Sequence, residues 1–113
     1  MADKTFTLEI NGYCYEFELW VLPYLRGGLV WVQKEGAPLK ITSPWNPDLW
    51  IQPSHEVGIT FLDPGDPEIP QALPRKFLDF DIELADSLGR YGYGFMHFYD
   101  DRDVLFIEPA LLD

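Results

Sequence analysis

Apolar and polar residues alternate most cleanly in the first eighteen positions. FTLEI and YCYEFELWV keep a period of two on either side of Asn11-Gly12, and that period sends successive side chains to opposite faces of a strand. Asn-Gly suits a type I′ turn, whose two central residues need positive φ. A two-residue loop then fixes the register. Ile10 opposes Tyr13, Leu8 opposes Tyr15 and Phe6 opposes Phe17 on an apolar face; Glu9–Cys14, Thr7–Glu16 and Thr5–Glu18 make the other. A slip of one residue would turn the apolar set to water, so turn chemistry and alternation specify the same hairpin.

Further elements follow. Gly27-Gly28 punctuates the chain before LVWVQK, which reads as a strand over 29–34, and Glu35-Gly36-Ala37-Pro38 leads to a second strand over 39–42. Trp20 and Trp31 then lie on strands, with Trp20 on the face of Cys14, Glu16 and Glu18, opposite the inferred core. The segment 43–56, with Pro44, Pro47 and Pro53, reads as irregular, 57–62 as a strand, and 63–74 as a loop with one helical turn near 67–73. The end of the chain reads as a hairpin with a four-residue loop, Asp100 to Asp103, pairing Tyr99 with Val104 and His97 with Phe106. Met96, Phe98, Leu105 and Ile107 then share one face. Both faces are apolar, which places these strands centrally in a sheet.

The segment FLDFDIELAD fits two patterns. As a helix it forms an apolar stripe of Leu73, Phe77, Phe80, Leu84 and Leu88 stopped by Gly89, but Asp81 falls inside the apolar arc. As a strand over 77–84 it puts Phe80, Ile82 and Leu84 inward and Asp79, Asp81 and Glu83 outward with no violator. The strand is preferred, with a turn or short helix over 85–88. The carboxylates would then stand about 7 Å apart, twice the rise per residue, near the spacing of successive phosphates. The fold expected is mainly β, a small sandwich, barrel or bent antiparallel sheet built from hairpins, with at most one or two short helices. The alternative is α+β with a helix at about 74–88.

Composition narrows the class. A chain of 113 residues is one domain, 1–113, and 47% hydrophobic content with 16% aromatic residues is too apolar for disorder. The single cysteine, Cys14, excludes an internal disulfide and a cysteine-based zinc site. There is no run of about 18 apolar residues and MADKTFTLEI lacks a signal-peptide core, so a cytoplasmic location is expected. Nineteen acids against eight bases give −11, divided as −3 over residues 1–56 and −8 over 57–113. Nucleic acid and anionic membranes are disfavoured as direct partners, because both need clustered Lys and Arg. A basic protein surface or a cation is favoured.

The chemistry is sparse. No Gly-x-Ser-x-Gly or Gly-rich phosphate loop occurs, and the acids are too numerous for any pair to stand out as a glycosidase dyad. Cys14 faces Glu9 on a polar strand face. His97, between aromatic residues, reads as a satisfied half-buried histidine; His55 reads as either exposed or functional. No catalytic residue or cofactor is assigned, and a binding protein is expected rather than an enzyme. The EF-hand pattern fails because Leu84 stands where the turn glycine belongs and Arg90 where the bidentate glutamate belongs. A different calcium site could use Asp63, Asp66 and Glu68 with Asp100, Asp101 and Asp103. Trp45 and Trp50 could pack beneath the long loop or stack on sugar, as in a carbohydrate-binding module.

Charge and aromatics together suggest a face for a basic partner, such as a nuclease or nucleic-acid-binding complex. Carboxylates stand in for phosphates and aromatic rings act as anchors. The residues expected to carry it are Asp79, Asp81, Glu83, Asp86, Tyr91, Tyr93, Asp100, Asp101, Asp103 and Trp20. Functionally that describes an inhibitor, either a toxin-immunity protein or a phage anti-defence protein of the anti-CRISPR type.

Overall fold

The computed structural model describes residues 4–73, 75 and 79–108. In chain order the elements are β1 (Thr5–Ile10), β2 (Tyr13–Glu18), a 3-10 turn (Leu19–Val21), α1 (Leu22–Glu35), β3 (Leu39–Thr42), β4 (Leu49–Ile51), β5 (Val57–Phe61), α2 (Phe80–Tyr91), β6 (Gly94–Phe98) and β7 (Val104–Leu105). They form a three-stranded sheet in the order β2-β1-β5 and a four-stranded sheet in the order β4-β3-β6-β7. Strands predominate over few helices, in a mixed α+β arrangement. The first hairpin has the expected register in all six pairs, with Asn11 at φ 49° and Gly12 at φ 88°.

The first correction is at 29–34, which is helical. Helix α1 carries Pro23 in its first turn and ends on Gly36 at φ 63°, whose N–H bonds the Val32 carbonyl at 2.9 Å. Proline in the first turn and a left-handed glycine just past the end are the start and stop signals of a helix. Leu25, Gly28 and Val32 are buried at helical spacing while Val30 faces water. Gly27-Gly28 is thus a packing feature, not a boundary. A Cβ on Gly28 would lie 2.8 Å from Leu39 Cδ2 and 2.9 Å from Met96 Cε, and one on Gly27 would collide with the Phe80 ring. The helix can approach β3, β6 and α2 only because these side chains are missing. Gly27→Val is expected to cost about 1–3 kcal/mol by overpacking and to loosen α2 before the rest. Thermal melts with α2 amide exchange check this; unchanged protection across α2 would refute it.

The second correction is the acidic segment FLDFDIELAD. Residues 80–91 form one continuous helix, nearer the alternative helix at about 74–88 than the preferred strand over 77–84 with a turn or short helix over 85–88; Phe77 and Leu78 lie outside the described residues. The buried positions Phe80, Leu84 and Ser87 stand at i, i+4 and i+7, with Leu88 and Tyr91 half-buried. This arc is rotated towards Ser87 and Tyr91, away from the stripe through Leu73, so Asp81 sits at its flank in water. The outlier is Ile82, which is 69% exposed. Gly89 lies inside the helix. The stop is Gly92 at φ 82°, whose N–H bonds the Leu88 carbonyl at 2.9 Å. No helical turn forms over 67–73, where the chain makes turns and bends, and 43–56 is irregular except for β4.

The last hairpin is shifted by one residue. His97 pairs with Leu105 and Phe98 with Val104. The Tyr99 N–H bonds the Asp103 carbonyl at 2.9 Å and Arg102 adopts φ 69°, so the loop has five residues, 99–103. Val104 and Phe106, in place of Leu105 and Ile107, therefore join Met96 and Phe98 in the core. Strand β6 is central, between β3 and β7. Its ladder with β3, from Leu39–Gly94 to Thr42–His97, is parallel, a pairing that hairpins alone do not supply. One core joins the inner faces of both sheets to α1 and to Phe80 and Leu84 of α2. At its centre the Phe98 ring meets Phe17, Trp20 and Tyr24 edge to face, with centroids 6.4, 5.7 and 5.8 Å away.

Candidate functional site

A helix places acids by its 3.6-residue period, not by alternation. Asp79, Glu83, Asp86 and Arg90 fall on one stripe of α2, and Asp81 falls on the other flank of the buried arc. The stripe borders β7. The Ser87 hydroxyl donates to the Phe106 carbonyl. A groove of about 300 Å³ between helix and strand is lined by Asp79, Phe80, Glu83 and the segment from Val104 to Ile107. Asp79 makes no side-chain cap bond at the helix start, so its carboxylate is left to the groove. Arg90, the one cation on the stripe, is held by Asp86 at 2.9 Å. Between residues 79 and 108 eight acids stand against two arginines, a net of −6.

The Asp100, Asp101 and Asp103 loop feeds directly into Val104. Two of its carboxylates shape the loop: Asp101 accepts the Asp103 N–H at 3.1 Å and Asp103 accepts the Val104 N–H at 3.0 Å. Burial, helped by the Asp103 charge, pushes the Tyr24 phenol up to about 12. The other acids considered for calcium are similarly engaged. Asp63 accepts the Gly65 N–H, Asp66 accepts the Glu68 N–H, and the Lys4 ammonium bridges Asp66 at 2.8 Å and Glu68 at 3.1 Å. Hydrogen bonds from Lys4 and then from the Glu68 N–H hold the Asp66 carboxyl below its usual range. Among the described residues no three His, Cys, Asp or Glu side chains converge to hold a metal ion.

The aromatic members of the expected set lie elsewhere. Trp20 sits in the 3-10 turn, not on a strand, and packs edge-on against Tyr24, Trp45 and Phe98. It is half-buried in the core periphery, not projected away from it. Its edge lines a cavity of about 450 Å³ with Lys4, Glu18, Leu19, Glu68, Pro70 and Arg102. Trp31 is buried in α1, under Gly94, where a Cβ would come within 2.7 Å of its ring. Tyr91 and Tyr93 lie 5.8 Å apart at the end of α2, and Tyr93 meets the exposed Trp50 of edge strand β4 at 5.0 Å.

Sequence reasoning missed the network beside that pair. Glu108 accepts from both the Lys40 ammonium and the Tyr93 hydroxyl. Lys40 also lies 5.7 Å from the Trp50 ring centre. Burial would raise the Glu108 carboxyl, but hydrogen bonds from Lys40 and Tyr93 with the Lys40 charge outweigh it, and its pKa falls. The hydrogen bond with Glu108, with burial and the neighbouring charges, pushes Tyr93 up to about 12. These partners are far apart in sequence, and only the parallel β3–β6 ladder brings Lys40 and Tyr93 together. On the same ladder His97 Nδ1 lies 2.5 Å from Thr42 Oγ1 and its ring meets Tyr99 at 4.4 Å. Burial lowers its pKa, against a smaller opposing pull from the Asp48 charge. It is the half-buried, partnered histidine the alternation implied. His55 Nδ1 accepts the Gln52 N–H at 3.1 Å, closing a turn.

Comparison with protein-family models, with curated proteins and with solved structures returns no match. Among the described residues no helix is long and apolar enough to cross a membrane.

Proposed function

We propose that the protein binds a basic, nucleic-acid-acting protein and blocks it, as a toxin-immunity protein or a phage anti-defence protein would. The observation that supports this reading is the α2–β7 groove, where Asp79 and Glu83 flank apolar walls from Phe80 and from Val104 to Ile107. Such a groove suits a lysine or arginine. The apolar stem lies along the walls while the charged head meets the carboxylates. The surrounding net charge steers a cationic surface towards it and makes association fall with salt.

The test is affinity capture from the native host, at about 50 and about 500 mM salt, with wild type and with Asp79→Lys/Glu83→Lys. Reversal at the start of α2 costs the helix up to about 1 kcal/mol each through its dipole, which a melting curve separates from lost binding. The expected result is a basic partner, lost at high salt and captured at least about tenfold less by the variant, equivalent to about 1.4 kcal/mol. An acidic partner, or capture indifferent to salt and variant, would sink the reading. Trp50, 40% exposed beside Tyr93 and Lys40, favours a carbohydrate-binding module as the second reading. Glycans that quench tryptophan fluorescence in wild type but not in Trp50→Ala would support it.

A further inference from the structure

Among the described residues two sheets present four edges, and three of them are protected. The outward backbone of β2 is engaged at Glu16, whose carbonyl accepts the Asn46 side chain at 2.7 Å, and the strand carries Glu16 and Glu18. Strands β4 and β7 have three and two residues, and α2 lies beside β7, bonded through Ser87 to Phe106 just past the strand. Short strands, charges and covering elements are the usual defences of a sheet edge. Strand β5 has none. Among the described residues no strand pairs with its far side, and VGITFL, 57–62, holds neither a charge nor a proline. Leu62, at its end, is fully exposed at 102%.

The phase of the ladder fixes which groups face out. The Asn11 N–H bonds the Glu56 carbonyl at 2.9 Å, and Glu9 opposes Gly58 and Thr7 opposes Thr60. Antiparallel pairing alternates. Gly58 and Thr60 therefore bond β1, and Val57, Ile59 and Phe61 direct their N–H and C=O groups away from it.

We propose that a second copy of the chain pairs with this edge, antiparallel about a two-fold axis at Ile59, joining the two three-stranded sheets into one of six strands. The edge is self-complementary in that register. Ile59 meets Ile59 of the second copy and Val57 meets Phe61, so every outward group finds a partner and apolar side chains adjoin. Glu56 falls opposite Leu62 and His55 opposite Asp63, with no acid facing an acid. On a chain of net charge −11 most other surfaces repel their own copy, and this strip does not. An isologous contact of this kind closes as a dimer and does not propagate.

Gly58 and Thr60 provide the test, because in this register each opposes the other across the axis. Both are exposed, and a side chain at 58 meets nothing within 4 Å. Wild type is expected to sediment at tens of micromolar with twice the 13.1 kDa mass of one chain. Gly58→Lys/Thr60→Lys sets lysine against lysine twice and should give monomers with the dissociation constant raised at least about tenfold. Gly58→Lys/Thr60→Glu alters the same positions but sets lysine against glutamate, and should remain dimeric, which separates lost pairing from a damaged fold. A monomeric wild type, a dimer that survives the double-lysine variant, or equal behaviour of the two variants would overturn the proposal.

Discussion

Replacing Phe98 by alanine is expected to lower the free energy of unfolding by about 3–5 kcal/mol. The ring is fully buried and meets Phe17 from the three-stranded sheet, Trp20 from the 3-10 turn and Tyr24 from α1. It therefore ties the four-stranded sheet to the three-stranded sheet, the 3-10 turn and α1 at once. Small domains hold about 5–15 kcal/mol in total, so the loss is a large share of stability. Denaturant unfolding measures it, and Trp20 gives a local signal. Trp20 emission should shift towards that of exposed indole while the protein is still folded. A loss under about 1.5 kcal/mol would show that the neighbouring rings close over the gap.

Lys40→Met is expected to cost about 1–3 kcal/mol, for a different reason. The side chains of Lys40 and Glu108 are 14% and 15% exposed, so removing the ammonium strands a partly buried carboxylate beside Tyr93. Breaking such a pair costs more than the pair contributes intact. The double variant Lys40→Met/Glu108→Leu should recover most of the loss, and a double-mutant cycle reads the coupling. The acid limb follows from the same geometry. The folded pKa of Glu108 lies below its ordinary 4.5, so the unfolded chain takes up the proton first. The stabilisation is complete above the ordinary value and is lost as pH falls through the folded one. In Lys40→Met burial dominates what remains, and this acid-dependent loss should disappear or reverse. Stability profiles of both proteins below about pH 5 decide it; parallel curves would mean that Lys40 does not hold Glu108.

The first hairpin was legible to the residue because two independent signals agreed, the positive-φ turn of Asn11-Gly12 and the alternation on both sides. Helix α1 was misread because Leu29, Val30, Trp31 and Val32 make a short apolar run, which periodicity cannot assign to helix or strand. Gly27-Gly28 also resembled punctuation; only the close approach of Phe80, Leu39 and Met96 gives those glycines a reason. In α2 the misleading residue was Ser87. A buried serine bonded to a backbone carbonyl is part of the core face, yet in sequence it breaks the stripe and leaves Asp81 looking like the violator. The last hairpin slipped because Arg102 adopts a left-handed backbone and lengthens the loop by one. Asp79 and Glu83 were singled out from their charge, but their apolar companions from Val104 to Ile107 were not. Nothing local joins residues so far apart along the chain.

The parallel ladder between β3 and β6 also governs the order of events during folding. The β1–β2 hairpin and α1 are built from neighbouring residues and can form while the chain is still being made. Leu39 and Ile41 cannot find Gly94 and Met96 until more than fifty further residues have been made. Closing a long loop is entropically slow, and non-local pairing sets the pace in such topologies. During synthesis the edge of β3 that will take β6 waits unpaired, and the strand-forming segment 57–62 has no charge of its own to keep it from sticking. The acids that follow, from Asp63 to Glu68 and again from Asp79 to Asp86, then help to keep the unfinished chain in solution.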